Sequence, residues 1–368
     1  MRLCYVLLSP TRGMHQYTSD LAARRCAQGD EVHLVTTSQV VSDRYGPQVQ
    51  VHTPVALTNT GFSAEGALHL RALPRVAHGI VALDPDLVHL TGPHLWNPLL
   101  VDRLHSAGIR VVHTLHDLHP HTGARYGRLL YVWNESIKRR ADHLLVHGRC
   151  FRDELVDQGL VASRVTCTLL THSFLSYGSA RVLEEGLPSI EYEPWALFFG
   201  RRERYKGLDV LIEAALQAGV HVCIAGQGSR HTVTTRLQKP LPDNIESRDH
   251  LVGDSEAIDL FRRCGVVVLP YVEASQSALV AAAYFWHKPV IVTRTGALPE
   301  YVVEGETGWV VPSGDASALA SALKEALSSP ARLSEMGRAG RAWWERQRLA
   351  EGQALDLMYR AAAGRHAS

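Results

Sequence analysis

Short apolar runs alternate with amphipathic stretches along almost the whole chain. "LCYVLL", "EVHLVTT", "LVHL", "RVVHTL" and "HLLVH" in the first half are continuous enough to be strands buried on both faces. "ALFFG", "VHVCIAG", "VVVLPY", "KPVIVT" and "GWVV" repeat the pattern in the second half. Between such runs, "YTSDLAARRCAQ" and "GLDVLIEAALQAG" space their apolar residues at the helical period. Strand–helix alternation predicts parallel sheets covered by helices, because a parallel crossover needs a long connection. Residues 176–194 have no period and carry Gly and Pro, which reads as a linker. The pattern then restarts. It predicts an α/β protein of two doubly wound, Rossmann-like domains facing a cleft, at residues 1–175 and 195–340. Residues 341–368 continue an Arg-rich helical stretch that begins near Pro330 and are expected to pack back on the first domain.

A length of 368 residues exceeds one ordinary core and fits two. Hydrophobic residues are 46% and charged residues 20%, so both domains can be well packed. Lys and Arg total 38 against 37 Asp and Glu, a net charge of +1 that argues against a dedicated nucleic-acid binder. No apolar run approaches the roughly 18 residues of a membrane span. The start "MRLCYVLLSP" lacks the core and cleavage site of a signal peptide and reads as a first strand. Six scattered cysteines with no C-x-x-C pair suit reduced thiols in a cytoplasmic protein.

The stretch "VVHTLHDLHPHTG" places His113, His116, His119 and His121 close together around Asp117. Ligand-like spacing raises zinc, which needs three or four converging ligands. On a strand, residues three apart point to opposite sides, so His113 and His116 do not converge without a bend. His113 falls inside the run, whereas His116 and Asp117 fall at its carboxyl end, the usual ligand crevice of an open α/β sheet. A single functional His116 is the reading, with no metal.

In "FFGRRERYKGLDVLIEA", Gly200 and Arg201 end a strand and Lys206-Gly207 opens a helix. Two cations at a strand mouth beside a helix N-terminus make an anion site, such as one for a diphosphate. Arg202, Glu203 and Arg204 on the same stretch read as solvated charges of little consequence. Gly226 and Gly228 then end a strand, and Glu246 follows about 20 residues on, but the third glycine of a dinucleotide fingerprint is missing. Ser275, Gln276 and Ser277 precede a helix whose free N–H groups favour phosphate. Ala281, Ala282 and Ala283 would let that helix lie close to the sheet.

In their order and spacing these residues resemble the retaining glycosyltransferases of family 4, which have the GT-B architecture. The resemblance runs from Gly13 through His116-Asp117, "G-R-x4-K-G" at 200–207, "AGQG", "LPYVEASQS", "HKPVIVT", "TGALPE" and "EGETGWVVPSGD". It implies a donor domain in the second half and an acceptor domain in the first. By the same resemblance Arg201 and Lys206 bind the donor diphosphate, and Gly13 approaches it from the other domain. Gly226, Gln276 and Ser277 add to the donor site, and His116 lies near the transferred sugar. The family's paired glutamates are missing: Ala274 and Ala282 occupy those positions, and Glu273, one residue off, is the candidate for the sugar contact. A branch of the family with an A-S/T-Q-S loop also lacks the second glutamate, the residue that usually holds the ribose.

The implied activity moves a hexosyl or N-acetylhexosaminyl group from a nucleoside diphosphate sugar to a sugar, lipid-linked or small-molecule hydroxyl acceptor, with retention. UDP is preferred over GDP, and no metal or further cofactor is expected. Rival readings are a silent sugar-nucleotide-binding partner subunit, a GT-B-like epimerase or phosphorylase, and a dehydrogenase. One stretch suggests peripheral contact with the inner face of a membrane: residues 125–140 hold five cations against Glu135, interleaved with Tyr126, Leu129, Leu130, Tyr131 and Trp133.

Overall fold

The computed structural model describes residues 1–39, 45–62, 69–119, 127–172, 189–228 and 241–364. They form two compact units, Met1–Thr168 with Ala350–Ser368, and Leu169–Leu349. Most of the expected linker lies outside the described residues.

The first unit is built on a seven-stranded parallel sheet, in the order β3-β2-β1-β4-β5-β6-β7. Its strands are β1 Arg2–Leu7, β2 Glu31–Thr37, β3 Val49–Val55, β4 Leu87–Leu90, β5 Val111–Leu115, β6 His143–Val146 and β7 Val165–Cys167. Helices α1 Arg12–Ala27, α2 Leu73–Ala82, α3 Asn97–Ser106, α4 Gly127–Arg140 and α5 Arg149–Asp157 connect them. The order reverses between β1 and β4, so the chain leaves these two strands on opposite sides and opens a crevice at their carboxyl ends. Val88, Leu90, Leu100, Leu104 and Val111 fill one side of this sheet and are fully buried.

The second unit repeats the plan with six parallel strands, in the order β10-β9-β8-β11-β12-β13. These are β8 Trp195–Phe199, β9 His221–Ala225, β10 Ile245–Arg248, β11 Val266–Leu269, β12 Val290–Thr293 and β13 Gly308–Val311. Helices α6 Leu208–Ala218, α7 Asp254–Arg263, α8 Ala278–Phe285 and α9 Ala316–Leu327 accompany them, and α10 runs Pro330–Ala362. Helix α8 is apolar all round, and Ala281, Ala282 and Ala283 are buried as their size suggests. The last turns of α10 belong to the first unit. Tyr359 meets Tyr5 Oη at 3.2 Å and His89 Nδ1 at 2.8 Å, and buried Glu351 accepts from Arg24 at 2.9 Å.

The ten strands read from the sequence are all present, and both sheets are parallel as alternation predicts. Three strands went unread: β3, β7 and β10. Each is a sheet edge, and edges are short or partly polar because one side lacks a neighbour.

Candidate functional site

Lys206 is the centre of the second unit's site. It ends a 3-10 turn, Arg204–Lys206, just past the carboxyl end of β8, and is only 9% exposed. Its ammonium lies 5.9 Å from the Tyr205 ring centre and 5.3 Å from that of Tyr271. Among the described residues it has no carboxylate partner. Its stem is packed away while the π faces of the two rings leave the ammonium free to meet an anion.

The backbone around it is shaped by two glycines. Gly207 adopts φ 67°, and a Cβ there would lie 1.9 Å from the Pro270 carbonyl oxygen. Gly226 has φ 135°, and its Cβ would lie 2.2 Å from the Gly200 oxygen. The loops after β8, β9 and β11 are therefore in contact. The Tyr205 carbonyl accepts from Val272 N at 2.8 Å and from Glu273 N at 3.3 Å. A Cβ at Gly200 would sit 3.0 Å from Lys206 Nζ and 3.9 Å from Leu279 at the start of α8. Ser277 caps that helix, accepting from Leu279 N at 3.3 Å. Gly200, Lys206, Gly226, Glu273, Ser277 and the neighbouring Gln276 thus converge where the strands end.

Arg201 and Arg202 differ from what their sequence suggests. Arg201 is 76% exposed and paired with Glu203 at 2.8 Å. Arg202, expected to be solvated, is 2% exposed. Its guanidinium donates to the carbonyls of Gly226 (2.7 Å) and Ile224 (3.1 Å) and to Ser247 Oγ (2.8 Å). Charge alone could not distinguish these neighbours in the sequence. Glu246, the acid a dinucleotide site would use, instead accepts from Arg248 at 2.6 Å.

In the first unit the four histidines go separate ways. His113 is in the core, accepting from Asn97 Nδ2 at 3.0 Å with its ring edge-on to Trp133. His119 reaches Glu154 at 2.9 Å on the surface, and His121 lies outside the described residues. His116 sits one residue past β5. Its Nε2–H donates to the Thr91 carbonyl at 2.9 Å, which leaves Nδ1 as the lone-pair nitrogen. That atom is buried and has no hydrogen-bond partner among the described residues. Burial lowers the His116 pKa, so the ring is neutral near pH 7. Among the described residues no group of three His, Cys, Asp or Glu could hold a metal ion.

Sequence reading missed the neighbours of His116. Tyr17 of α1 stands edge-on to both His116 (5.0 Å) and His147 (5.4 Å), and the two imidazoles are 5.3 Å apart. His147 directly follows β6, at the same end of the sheet as His116, and that shared position was the available signal. Gly13 lies in the first turn of α1, where a Cβ would meet nothing within 4 Å. Its φ is not in the left-handed region, so nothing within its own unit requires glycine there.

Helix α4 carries less free charge than its composition suggests. Lys138 is buried and bonds Glu135 at 2.6 Å and Gln158 at 2.9 Å, and Arg140 bonds Asp102 at 3.0 Å. Leu129, Tyr131 and Val132 are exposed. No helix among the described residues is long and apolar enough to cross a membrane.

Comparison with known proteins gives this geometry a family. Residues 12–168 match the family described as "Glycosyl transferase 4-like domain" and residues 193–329 the one described as "Glycosyl transferases group 1". D-inositol 3-phosphate glycosyltransferase of Arthrobacter sp. (strain FB24) is 26% identical, over 89% of this chain and 84% of that protein. The Streptomyces avermitilis protein of the same name is 27% identical, over 89% and 78%. Among solved structures, sucrose-phosphate synthase from Thermosynechococcus elongatus superposes with a TM-score of 0.72 at 19% identity, covering 98% and 99% of the two chains. Anabaena HepE in complex with UDP-glucose gives 0.70 at 14%, covering 97% and 99%. With a glycosyltransferase family matched on each of its two Rossmann-like sheets, the chain is a glycosyltransferase of GT-B fold.

Proposed function

We propose that the protein transfers a hexosyl or N-acetylhexosaminyl group from a nucleoside diphosphate sugar to a hydroxyl acceptor, with retention of configuration. The observation that carries this reading is Lys206, a largely buried lysine whose ammonium has no carboxylate partner among the described residues, seated where the loops after β8, β9 and β11 meet. A diphosphate would supply the missing anion. As the sugar bond breaks, negative charge grows on the leaving diphosphate. Lys206, Arg201 and the α8 N-terminus at Gln276 and Ser277 would stabilise it. Gly226 lets the backbone come close, and Gly13 leaves room on the other unit. Glu273 is assigned to the sugar. His116, neutral with Nδ1 as acceptor, is assigned to a hydroxyl of the transferred sugar or of the incoming acceptor. These groups would bind and polarise the donor without a metal.

UDP is the preferred nucleotide, with GDP next, and HepE's complexes with UDP and UDP-glucose support that order. The relatives' printed activity on D-inositol 3-phosphate makes a phosphorylated polyol a reasonable acceptor to assay first. We place the protein in the cytoplasm. Exposed Leu129, Tyr131 and Val132 keep peripheral lipid contact within the proposal, and absence of liposome flotation at low salt would remove it.

A second reading, a silent nucleotide-sugar binder, has one observation in its favour: buried Ala282 stands where the family's ribose glutamate would be. A thermal-shift panel of nucleotide sugars tests donor binding. The right donor at 100 times its Kd adds about 2.7 kcal/mol of stability. No shift with any UDP- or GDP-sugar would refute the reading. Slow donor hydrolysis separates the enzyme from the silent binder.

A further inference from the structure

Arg202 has no role in the reaction proposed above, yet its burial is expensive. Taking a guanidinium out of water is costly, and an apolar side chain of similar size would fill the space at lower cost. Among the described residues its one ion-pair partner, Asp249, is 3.8 Å away and half exposed. What the guanidinium secures is loop geometry. The Arg202 side chain ties the 200–207 loop to Gly226 and Ile224 at the end of β9 and to Ser247 on β10. Its own N–H donates to the Gln227 carbonyl at 3.1 Å, and Gly228 N donates to Asp249 at 3.0 Å. Gly226 and Gly200 are already in contact, so a shift in one loop moves the other.

We infer that Arg202 is a positioning residue of the donor site: its guanidinium clamps the loop bearing Arg201 and Lys206 to the loop after β9, holding both cations in place for a nucleotide diphosphate. This deepens the donor reading and rests on it. The clamp acts on the diphosphate end of the ligand and leaves the nucleoside end alone, a distinction that a merely structural role does not make.

The test is calorimetric titration of UDP and of uridine into wild type, Arg202→Lys, Arg202→Met and Ser247→Ala, well below their melting temperatures. GDP and guanosine replace them if wild type binds GDP. Arg202→Met should weaken UDP by about tenfold or more while uridine stays within about twofold. Arg202→Lys should restore only part of the loss, because one ammonium cannot span three acceptors held by a planar fork. Ser247→Ala removes one acceptor and keeps the charge, so it should give a smaller loss in the same sense, and it carries the test if Arg202→Met does not fold. Equal weakening of UDP and uridine would overturn the inference. So would unchanged UDP affinity in Arg202→Lys and Ser247→Ala alongside lower melting temperatures. If wild type binds neither UDP nor GDP, the donor reading falls and takes this inference with it; failure of the clamp alone leaves wild-type binding intact.

Discussion

Lys206 and His116 each lack a described partner, the lysine for its charge and the histidine for its buried Nδ1, and each has a different consequence. In the proposed reaction an interaction of Lys206 with the leaving diphosphate would strengthen as the bond breaks, so turnover should suffer more than donor binding when it is removed. Lys206→Ala should lower the transfer rate by roughly 100- to 1000-fold, the usual cost of losing one such donor. Arg201→Ala should cost less because its side chain is largely in water, and Arg204→Ala, exposed on the same turn, should change little. Equal loss in Arg204→Ala and Lys206→Ala would show that the diphosphate lies elsewhere. His116→Ala should cut transfer sharply and keep the fold, whereas His119→Ala, whose ring sits on the surface against Glu154, should not. At this scale the sequence exposed the type of each candidate but not its depth. Arg201 and Arg202 are adjacent and chemically identical, yet one is solvated and the other clamps three acceptors, a difference set by the path of the loop after β8 and by its neighbours on β9 and β10.

The elements that build the site are strand ends and the helix starts that follow them. These were legible because buried parallel strands are continuous apolar runs and the glycines after them mark tight turns. The edge strands β3, β7 and β10 were not, since "VQVHTPV", "VTC" and "IESR" carry polar residues where one side has no partner. Nor were Tyr205 and Tyr271 recognisable as the walls around Lys206, because they come from different loops that only the fold brings together. Gly207 is the element-scale constraint most open to test. Its φ of 67°, and a Pro270 oxygen only 1.9 Å from where a Cβ would stand, leave no room for alanine. Gly207→Ala should therefore destabilise the second unit by about 1–3 kcal/mol and displace the loop after β11. Unchanged chemical denaturation of this variant would show that the loop is looser than described.

Taken whole, the molecule places many neutral histidines in the first unit. Burial pushes His94 and His113 down to about 3 and His89 well below its ordinary value, and it lowers His116 as well. Unfolded, each titrates near 6.5, so below that pH the unfolded chain binds more protons than the native one. Stability should be complete above about pH 6.5 and fall as the solution is acidified towards the native pKa values. Each such histidine contributes up to about 1.4 kcal/mol per pH unit within that window. Urea midpoints at pH 7, 6 and 5 should decline in that order; a flat series would mean that the imidazoles are hydrated. Two-domain organisation was legible from the restart of the strand–helix pattern; a return of the last helix to the first unit was expected too, but not the contacts that make it, Tyr359 and Glu351 with Tyr5, His89 and Arg24. The central claim is that this double Rossmann-like protein cleaves a nucleotide sugar with Lys206 at the diphosphate. Its most direct test is release of nucleoside diphosphate from UDP- and GDP-sugars without acceptor, comparing wild type with Lys206→Ala. Slow release by wild type from at least one donor, lost in Lys206→Ala while the fold persists, is the predicted result. Release by Lys206→Ala at the wild-type rate, or none by wild type from any donor, would contradict it.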